Sequence, residues 1–479
     1  MLILETQSIA SLQLIKMTTD KLYPFFLQHP VICTDTRKIA SGCLFFALKG
    51  AQFDANTFAQ QAIADGAAYA VIDDPAYKLN DKYILVEDVL SALQDLARFH
   101  RRQLTIPVIG LTGTNGKTTT KELINAVLSQ KFTTLATQGN LNNHIGVPLT
   151  ILSINASHEM AVIEMGANHQ KEIELLCSIS QPTHGLITNI GKAHLEGFGG
   201  VEGIKKGKGE LYDFLAWQDG NPDSYHGGKD AGGDVEGWKP DGLAFVNGDD
   251  PVLMAMQQAR SLKNVVLYGT KNKDNVVSGK LTENAPLLAL QWTNNKTGES
   301  YFVNTHLTGA YNLDNILAAV CIGVYFEMEP GFINKGIEGY HPQNNRSQIK
   351  QTETNTLICD YYNANPSSMF VAIENIGKLK ADKKVLVLGD MFELGEESAA
   401  EHEAIIRKAL DTNVNERIFI GKDFLAQKWK VKGQKLKNFT FHATVEDAIA
   451  GLKAHPIKNA TVLIKGSRGM ALERLVGLF

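Results

Sequence analysis

The stretch Gly113–Thr120 reads Gly-Thr-Asn-Gly-Lys-Thr-Thr-Thr, a set of residue types suited to holding a chain of phosphates. It follows the apolar run Ile106–Leu111, expected to be a buried strand. It precedes Lys121–Leu128, whose Ile124, Val127 and Leu128 recur at helical spacing. A strand, a glycine turn and a helix N-terminus gather backbone N–H groups around one point, and the helix dipole favours an anion there. Gly113, Thr114, Asn115, Gly116 and Thr119 would form the cradle. Lys117 would reach the outer phosphates and the Thr118 hydroxyl would take a magnesium ion. The spacing departs from the GxxxxGK[ST] pattern, because Leu111 stands where its first glycine would fall. The bland alternative is a tight strand–helix turn that happens to carry a lysine.

Four other clusters are rich in polar groups. Asn140, Asn142 and Asn143 crowd into Gly139–Gly146, ahead of the apolar Val147–Ile154, and asparagines this dense usually make a turn. Glu164 ends the apolar run Met160–Glu164, where a carboxylate is poorly placed for stability; a metal or a salt bridge would account for it. His194 follows another strand candidate, Gly185–Ile190, although a lone histidine is more often structural than a ligand. Lys208 sits two residues after Lys205-Lys206, and a lysine run is usually a solvated face.

The elements that must position these residues alternate. In the first hundred residues, Gly42–Leu48 and Ala68–Ile72 are strand candidates and Phe58–Ala64 and Val89–Phe99 helix candidates, with His100–Gln103 expected to be a linker. Strand and helix then alternate, which implies a mostly parallel sheet covered on both faces, with ligand sites at the strand ends. Asn312–Met328 is a long apolar helix candidate that Pro330-Gly331 should break. Asp219–Gly242, rich in Gly, Asp and Pro, is expected to be a mobile surface insertion. A second alternating set follows Pro342, with strand candidates Thr356–Asp360, Lys384–Leu388, Arg417–Ile420 and Thr461–Ile464. It carries no GxGxxG after its first strand, so a dinucleotide fingerprint is absent. The expectation is an α/β protein of three domains, residues 1–103, 104–338 and 339–479, the third Rossmann-like.

Composition narrows the class. With 479 residues the chain has room for about three domains of roughly 150 residues. A net charge of −4 gives no basic excess, so nucleic acid is not expected as a partner. No apolar run of transmembrane length occurs, and the N-terminus lacks a basic-then-apolar signal pattern. The five cysteines, Cys33, Cys43, Cys177, Cys321 and Cys359, are scattered and lack a CxxC pair, which fits a reducing cytoplasm and argues against a zinc ribbon.

Taken together, the motifs resemble the Mur ligase family, the ATP-dependent amide-forming enzymes of bacterial cell-wall (peptidoglycan) assembly. In order along the chain they are TGTNGKTTTKE at Thr112–Glu122, NLNNHIGVPLT at Asn140–Thr150, VIEMGAN at Val162–Asn168 and NIGKAHLEGFG at Asn189–Gly199. KGE at Lys208–Glu210, YNANPSSM at Tyr362–Met369, GDMFELG at Gly389–Gly395 and KGSRGM at Lys465–Met470 complete the set. The resemblance implies a small N-terminal domain that binds a UDP-linked substrate, a central P-loop ATPase domain, and a C-terminal domain that closes on ATP and binds the incoming amine. It implies that Thr118 and Glu164 hold one Mg2+, that His194 helps hold a second, and that Lys208 carries a carbamate formed with carbon dioxide. It further implies nucleotide contacts from Asn312, Asn315, Arg346 and Asp360, and substrate contacts from Asn142, Asn143, Asn363 and Asn365. DTRKIASGCLFFALKG at Asp35–Gly50, followed by Asp54-Ala55-Asn56, is similar to the segment that holds the UDP end, which implicates Thr36, Arg37, Lys49 and Asn56. Two departures stand out: Tyr311 replaces the family's usual histidine, and Cys359 replaces one acid of its DDSYNAN pattern.

The activity implied is the ATP-driven addition of D-alanyl-D-alanine to a UDP-N-acetylmuramoyl tripeptide, in the cytoplasm, by a protein expected to be a monomer. A sister ligase adding the third amino acid (diaminopimelate or lysine) is the nearest rival, and the YNANP and GDMFELG segments favour the dipeptide-adding branch. Folylpolyglutamate synthetase would lack the UDP-holding domain. A P-loop regulatory or motor NTPase would have no use for Glu164, His194 and Lys208 together, and an inactive partner-binding relative would not need them.

Overall fold

Val108–Thr112 is a run of apolar or small residues, every one buried, and it occupies the interior of the largest sheet. The protein is seen here as a computed structural model that describes residues 16–218, 242–284, 287–343, 345–431 and 438–479. Among the described residues that sheet has nine strands. Six run parallel, in the order Thr134–Ala136, Met160–Glu164, Val108–Thr112, His184–Ile187, Leu243–Asn247 and Asn264–Gly269. Val277–Asn284 continues the parallel set, and Leu288–Asn294 and Glu299–Asn304 add an antiparallel edge. After Val108–Thr112 the chain first builds outward on one side, through Thr134–Ala136 and Met160–Glu164. It then crosses to the other side at His184–Ile187, so Val108–Thr112 is where the strand order reverses. Open α/β sheets hold ligands beyond the strand ends at such a reversal.

The helix after the loop is Lys117–Leu128, four residues longer than its periodicity predicts, because it starts at the lysine itself. Its Leu123, Ile124 and Val127 share a core with Ile316, Leu317 and Val320 of helix Asn312–Tyr325. Pro330 does end the expected helical run, but it does so as the first residue of a new helix, Pro330–Glu338, where its missing N–H costs nothing.

The remaining sheets carry the other two layers of a three-part α/β protein. A four-stranded parallel sheet orders Ile32–Cys33, Leu44–Phe46, Tyr69–Ile72 and Tyr83–Leu85. A six-stranded sheet orders Gln348–Gln351, Thr356–Asp360, Thr461–Lys465, Lys384–Gly389, Glu416–Ile420 and Phe439–His442, parallel except for the first. By compactness the chain forms two units. The first runs to Thr105 and takes in Gln138–Asn155 and Ser178–Gln181; the second is Ile106–Thr137, Ala156–Cys177 and Pro182–Phe479. The insertion expected at 219–242 lies, apart from Gly242, outside the described residues. No helix among the described residues is long and apolar enough to cross a membrane.

One expectation is overturned. His100–Gln103 is not a linker: the helix is Val89–Arg102, capped by the Asp88 carboxylate on the Ser91 N–H. Arg101 is fully buried and donates to the carbonyls of Leu104, Ser180 and Gln181, and the buried His100 bonds Tyr23 and the Ile154 carbonyl. The polar run looked solvated because its partners lie far along the chain. A buried guanidinium is tolerated only where carbonyls meet its donors.

His184, the first residue of its strand, is packed against Phe245, Tyr325 and Phe326, with ring centroids 6.1, 5.4 and 5.2 Å away. Burial pushes its imidazole down to about 4, whereas an unfolded chain titrates it near about 6.5. Between those values the unfolded state binds the extra proton. This contribution to stability is therefore complete above pH 6.5 and is lost as pH falls towards 4. The loss amounts to at most about 3 kcal/mol. Urea melts across that window should show a shallower decline for His184→Phe than for the unsubstituted protein; equal slopes would exclude the assignment.

Candidate active site at the sheet reversal

The loop's conformation depends on two glycines. Gly113 has φ +142°, and a Cβ there would lie 2.0 Å from Thr188 Oγ1. Gly116 caps the helix at φ +79°, and its Cβ would lie 2.7 Å from Asn315 Oδ1. No larger residue fits either place, so the missing first glycine of the usual pattern is immaterial to this turn. The loop is tied to the segment after strand His184–Ile187. Asn115 N–H donates to Asn189 Oδ1 at 3.0 Å, Asn189 Nδ2 and Thr188 Oγ1 donate to the Asn115 carbonyl, and Gly191 N–H donates to Thr114 Oγ1 at 2.9 Å. Lys117 folds back and donates to the Gly113 carbonyl at 2.8 Å. Behind it, Thr120 donates to Asn315 Oδ1, Asn315 to Asn312 Oδ1, and Asn312 to the Thr308 carbonyl. Asn312 and Asn315 are thus buried and hold the helix against the loop.

Strand register brings the chemistry together. Glu164 pairs with Leu111 and Thr112 with Ile187, so Glu164, the loop and the segment leading to His194 leave the sheet at one level. Glu164 and Thr118 are buried, 1% and 4% exposed. Lys208, 2% exposed on helix Val201–Gln218, donates to the Ala167 carbonyl at 3.0 Å and lies 4.9 Å above the Phe198 ring. His194 has φ +51° and starts the short helix Leu195–Phe198. Burial pushes the Lys208 ammonium far down, and Lys117 pushes it further. Burial also lowers Lys117, with Glu164 opposing and Arg346 adding to the effect. His194 is lowered by burial and by both lysines, against Glu393. These cationic groups destabilise one another's charge, and an anion among them would relieve all of them.

The C-terminal sheet ends against the same place. Asn365 caps helix Pro366–Lys378 through its Oδ1, leaving its Nδ2 to donate to Asn115 Oδ1 of the loop at 2.8 Å. Lys192 N–H donates to Ser367 Oγ, and its ammonium pairs with the buried Glu401. His194 Nδ1 lies 2.5 Å from Glu393 Oε2 without an aligned hydrogen bond, so that contact is electrostatic in character. Asp360 takes the Lys465 ammonium at 2.7 Å and the Ser347 N–H at 3.3 Å, and the Asn363 carbonyl accepts from the same ammonium. Arg346 stacks 3.7 Å over the Tyr362 ring, and its buried Nε has no hydrogen-bond partner among the described residues. Tyr311 hydrogen-bonds Ser347 at 2.6 Å, so this departure from the family pattern acts as a tie between helix Asn312–Tyr325 and the strand region of Asp360. Cys359 is fully buried among Leu357, Val462 and Ile464, a core position rather than a site position. Asn189, Lys465 and Glu393 lay inside motifs read from the sequence and Thr188 in a strand candidate, but only the fold shows what they hold.

The remaining candidates lie in the first unit. Arg37 forms a two-pronged ion pair with Asp35, both contacts at 2.8 Å, which holds the Asp35 carboxyl down at about 2. Thr36 lies in the same 3-10 turn. Lys49 pairs with Asp73 at 2.8 Å; Asn56 is fully buried, and its amide donates to Asp54 and Asp73, so it positions Asp73. Asn143 Oδ1 accepts from the N–H groups of Ile145 and Gly146 and begins helix Gly146–Leu152, next to Asn142. This is the turn chemistry expected of dense asparagines.

Asp390, His402 and Asp423 have metal-like spacing, with ligand atoms within 4.8 Å of one another. Two of the three already accept backbone hydrogen bonds, however. His402 Nε2 accepts from Met391 N–H, and Asp390 accepts from the N–H groups of Asp423 and Phe424. Asp390 and His402 are buried and serve the backbone of the loops around them, with Asp423 half-buried beside them.

Comparison with known proteins agrees with the geometry. Residues 111–219 and 235–323 match the Mur ligase middle domain, 345–468 the Mur ligase glutamate ligase domain, and 30–101 the catalytic domain of the Mur ligase family. The chain is 34% identical to the UDP-N-acetylmuramoyl-tripeptide–D-alanyl-D-alanine ligase of Bacillus subtilis, over 93% of this chain and 92% of that protein. It is also 34% identical to the Escherichia coli protein of the same name, with the same coverage. The crystal structure of MurF from Acinetobacter baumannii superposes with a TM-score of 0.79 at 31% identity, covering 93% of this chain and 92% of that one. The chain belongs to the Mur ligase family, and it is a ligase of the ATP- and magnesium-dependent kind.

The donor set fits those groups: a turn whose two glycines admit no Cβ, a buried hydroxyl and a buried carboxylate at Thr118 and Glu164, and cations destabilised without an anion. Gly113→Ala should weaken nucleotide binding at least about 100-fold, since the new methyl group can be housed only by moving the loop. Gly139→Ala meets nothing within 4 Å and should leave binding unchanged, with only about 1 kcal/mol lost for its left-handed backbone. Titration calorimetry with a non-hydrolysable ATP analogue checks both, and normal binding by Gly113→Ala would sink the account of the loop.

Proposed function

We infer that this protein joins D-alanyl-D-alanine to a UDP-N-acetylmuramoyl tripeptide at the expense of ATP, giving the UDP-linked pentapeptide, ADP and phosphate for peptidoglycan synthesis. The observation that carries this reading is likeness to dipeptide-adding ligases over 93% of the chain, at a site where a phosphate loop, a buried carboxylate and a buried lysine converge. The tripeptide carboxylate attacks the γ-phosphate, forming an acyl phosphate and releasing ADP; the amine then attacks the acyl carbon, and phosphate leaves. The first step brings anions together, and a unit-charge pair at about 4 Å repels by roughly 4 kcal/mol at an effective dielectric near 20. Each ~1.4 kcal/mol is tenfold in rate, so Lys117 and Arg346 would be needed to offset the repulsion. Magnesium, when bound, supplies further neutralisation of the triphosphate; Thr118 with Glu164, and His194 with Lys208, would hold two ions. Asn312, Asn315 and Asp360 would frame the nucleotide. Arg37, Thr36, Lys49 and Asn56 would serve the UDP end, and Asn142, Asn143, Asn363 and Asn365 the reacting ends. Domain limits at 103/104 and 338/339, a monomer and a cytoplasmic setting belong to the same proposal.

Lys208 would act as a carbamate. Burial and Lys117 hold it towards the neutral amine, which attacks carbon dioxide, loses a proton and becomes an anion. That replaces a cation repelled by Lys117 with a group able to approach a metal. Lys208→Ala should lose turnover by at least about 100-fold and regain part of it with a short-chain carboxylate; full activity without rescue would remove the carbamate. For the reaction itself, phosphate release with the UDP-linked tripeptide is compared across amines. D-alanyl-D-alanine should stimulate it strongly and diaminopimelate or lysine should not, and release no greater than in buffer would defeat the ligase reading.

A further inference from the structure

Beyond Lys465, the motif KGSRGM has no role in the account above. In the C-terminal sheet the chain passes from strand Thr356–Asp360 to strand Lys384–Gly389 around strand Thr461–Lys465, which lies between them. The loops that follow these three strands therefore meet. Register sets their level, with Asp360 paired to Lys465 and Lys465 to Leu388. The buried Ser467 pins them: its N–H donates to the Asp390 carbonyl, its hydroxyl to the Ala364 carbonyl, and it accepts from Phe392 N–H at 2.9 Å.

The next residue, Arg468, is exposed, and its guanidinium lies 5.1 Å from the centre of the Tyr362 ring, the ring on which Arg346 also stacks. Among the described residues no carboxylate pairs with Arg468. Gly469 lets Phe392 close in, since a Cβ there would lie 2.7 Å from that ring, and Phe392 is 44% exposed. An unpaired arginine on an aromatic face, beside an exposed phenyl ring, is a receptor for a small carboxylate with an apolar body. Three residues beyond Tyr362, Asn365 touches the phosphate loop, so this receptor borders the reacting centre. The amine and carboxylate of an extended dipeptide are at most about 7 Å apart, a span that would let one end react while the other is held.

We propose that Arg468 is a specificity-determining residue that grips the terminal carboxylate of the incoming peptide, with Tyr362 supporting its guanidinium and Phe392 facing the peptide's methyl groups. This rests on the ligase reading. It makes the free C-terminus of the dipeptide, and not only its amine, a requirement of the site.

Steady-state phosphate release is measured with D-alanyl-D-alanine and with its C-terminal amide, for the unsubstituted enzyme, Arg468→Ala and Arg468→Lys. The unsubstituted enzyme should prefer the free acid by about 10- to 100-fold in kcat/KM. Arg468→Ala should raise the dipeptide KM by a similar factor, leave the KM values for ATP and the UDP-linked tripeptide within about twofold, and lose the preference for acid over amide. Arg468→Lys, which keeps the charge but not the fork, should fall between. No preference in the unsubstituted enzyme, or an unchanged preference in either variant, overturns this assignment while the ligase reading stands. No dipeptide-dependent release in the unsubstituted enzyme overturns both.

Discussion

Cations with too few anions around them are what the site is built on. Lys117, Lys208 and Arg346 are drawn towards one sheet end, and each lysine is pushed below its ordinary proton affinity by burial and by a neighbouring cation, Arg346 for Lys117 and Lys117 for Lys208. A protein holds such groups together only where the surrounding fold over-determines their positions, because each would be better solvated apart. The fold does so here through two glycines that admit the loop, the asparagines Asn115, Asn189, Asn312 and Asn315 that brace it, and a strand register that sets Glu164 level with it. An anion such as a triphosphate would turn this repulsion into binding.

The C-terminal sheet is part of the same arrangement. Asn365 serves at once as a helix cap and as a donor to the loop, so the start of helix Pro366–Lys378 and the phosphate cradle share one side chain. His194 and Glu393 meet with both backbones in the left-handed region, at φ 51° and 62°. Positive φ in residues other than glycine is held in place by its surroundings and gathers at working sites. Together with Lys192–Glu401 and Tyr311–Ser347, these contacts make the loop after strand His184–Ile187 the meeting point of the two sheets. A ligase that must bring a nucleotide, a carboxylate and an amine together needs such a meeting point.

How much of this could be read from the chain depended on how local each cause was. The strand, glycine turn and helix around Gly113–Thr120 were legible, since an apolar run, two glycines and a helical period follow one another along the chain. Thr356–Asp360 and Met160–Glu164 were legible as continuous apolar runs. Leu288–Asn294 and Glu299–Asn304 were not singled out, because buried residues only alternate with half-buried ones in the first and the second is mostly exposed, so the apolar signal is diluted. His100–Gln103 was misread as a linker for a related reason: the carbonyls that satisfy Arg101 lie up to 80 residues away, and no local pattern reports them.

Residue types and spacing by themselves determined that Gly113–Thr120 is a glycine turn between a strand and a helix, of a kind suited to a phosphate chain, and that strand and helix alternate around it. They also determined, by resemblance, which family it joins. Those are consequences of short-range geometry and of motifs written in consecutive residues. Only the tertiary structure decided that Glu164, His194 and Lys208 gather near Lys117 of one loop, that Asn56 and Asn143 spend their side chains on their neighbours, that Tyr311 is a tie and Cys359 core, and that Arg468 shares a ring with Arg346. Each of these depends on strand order and register, which bring together residues tens to hundreds of positions apart, and that information lies in how the sheets pack.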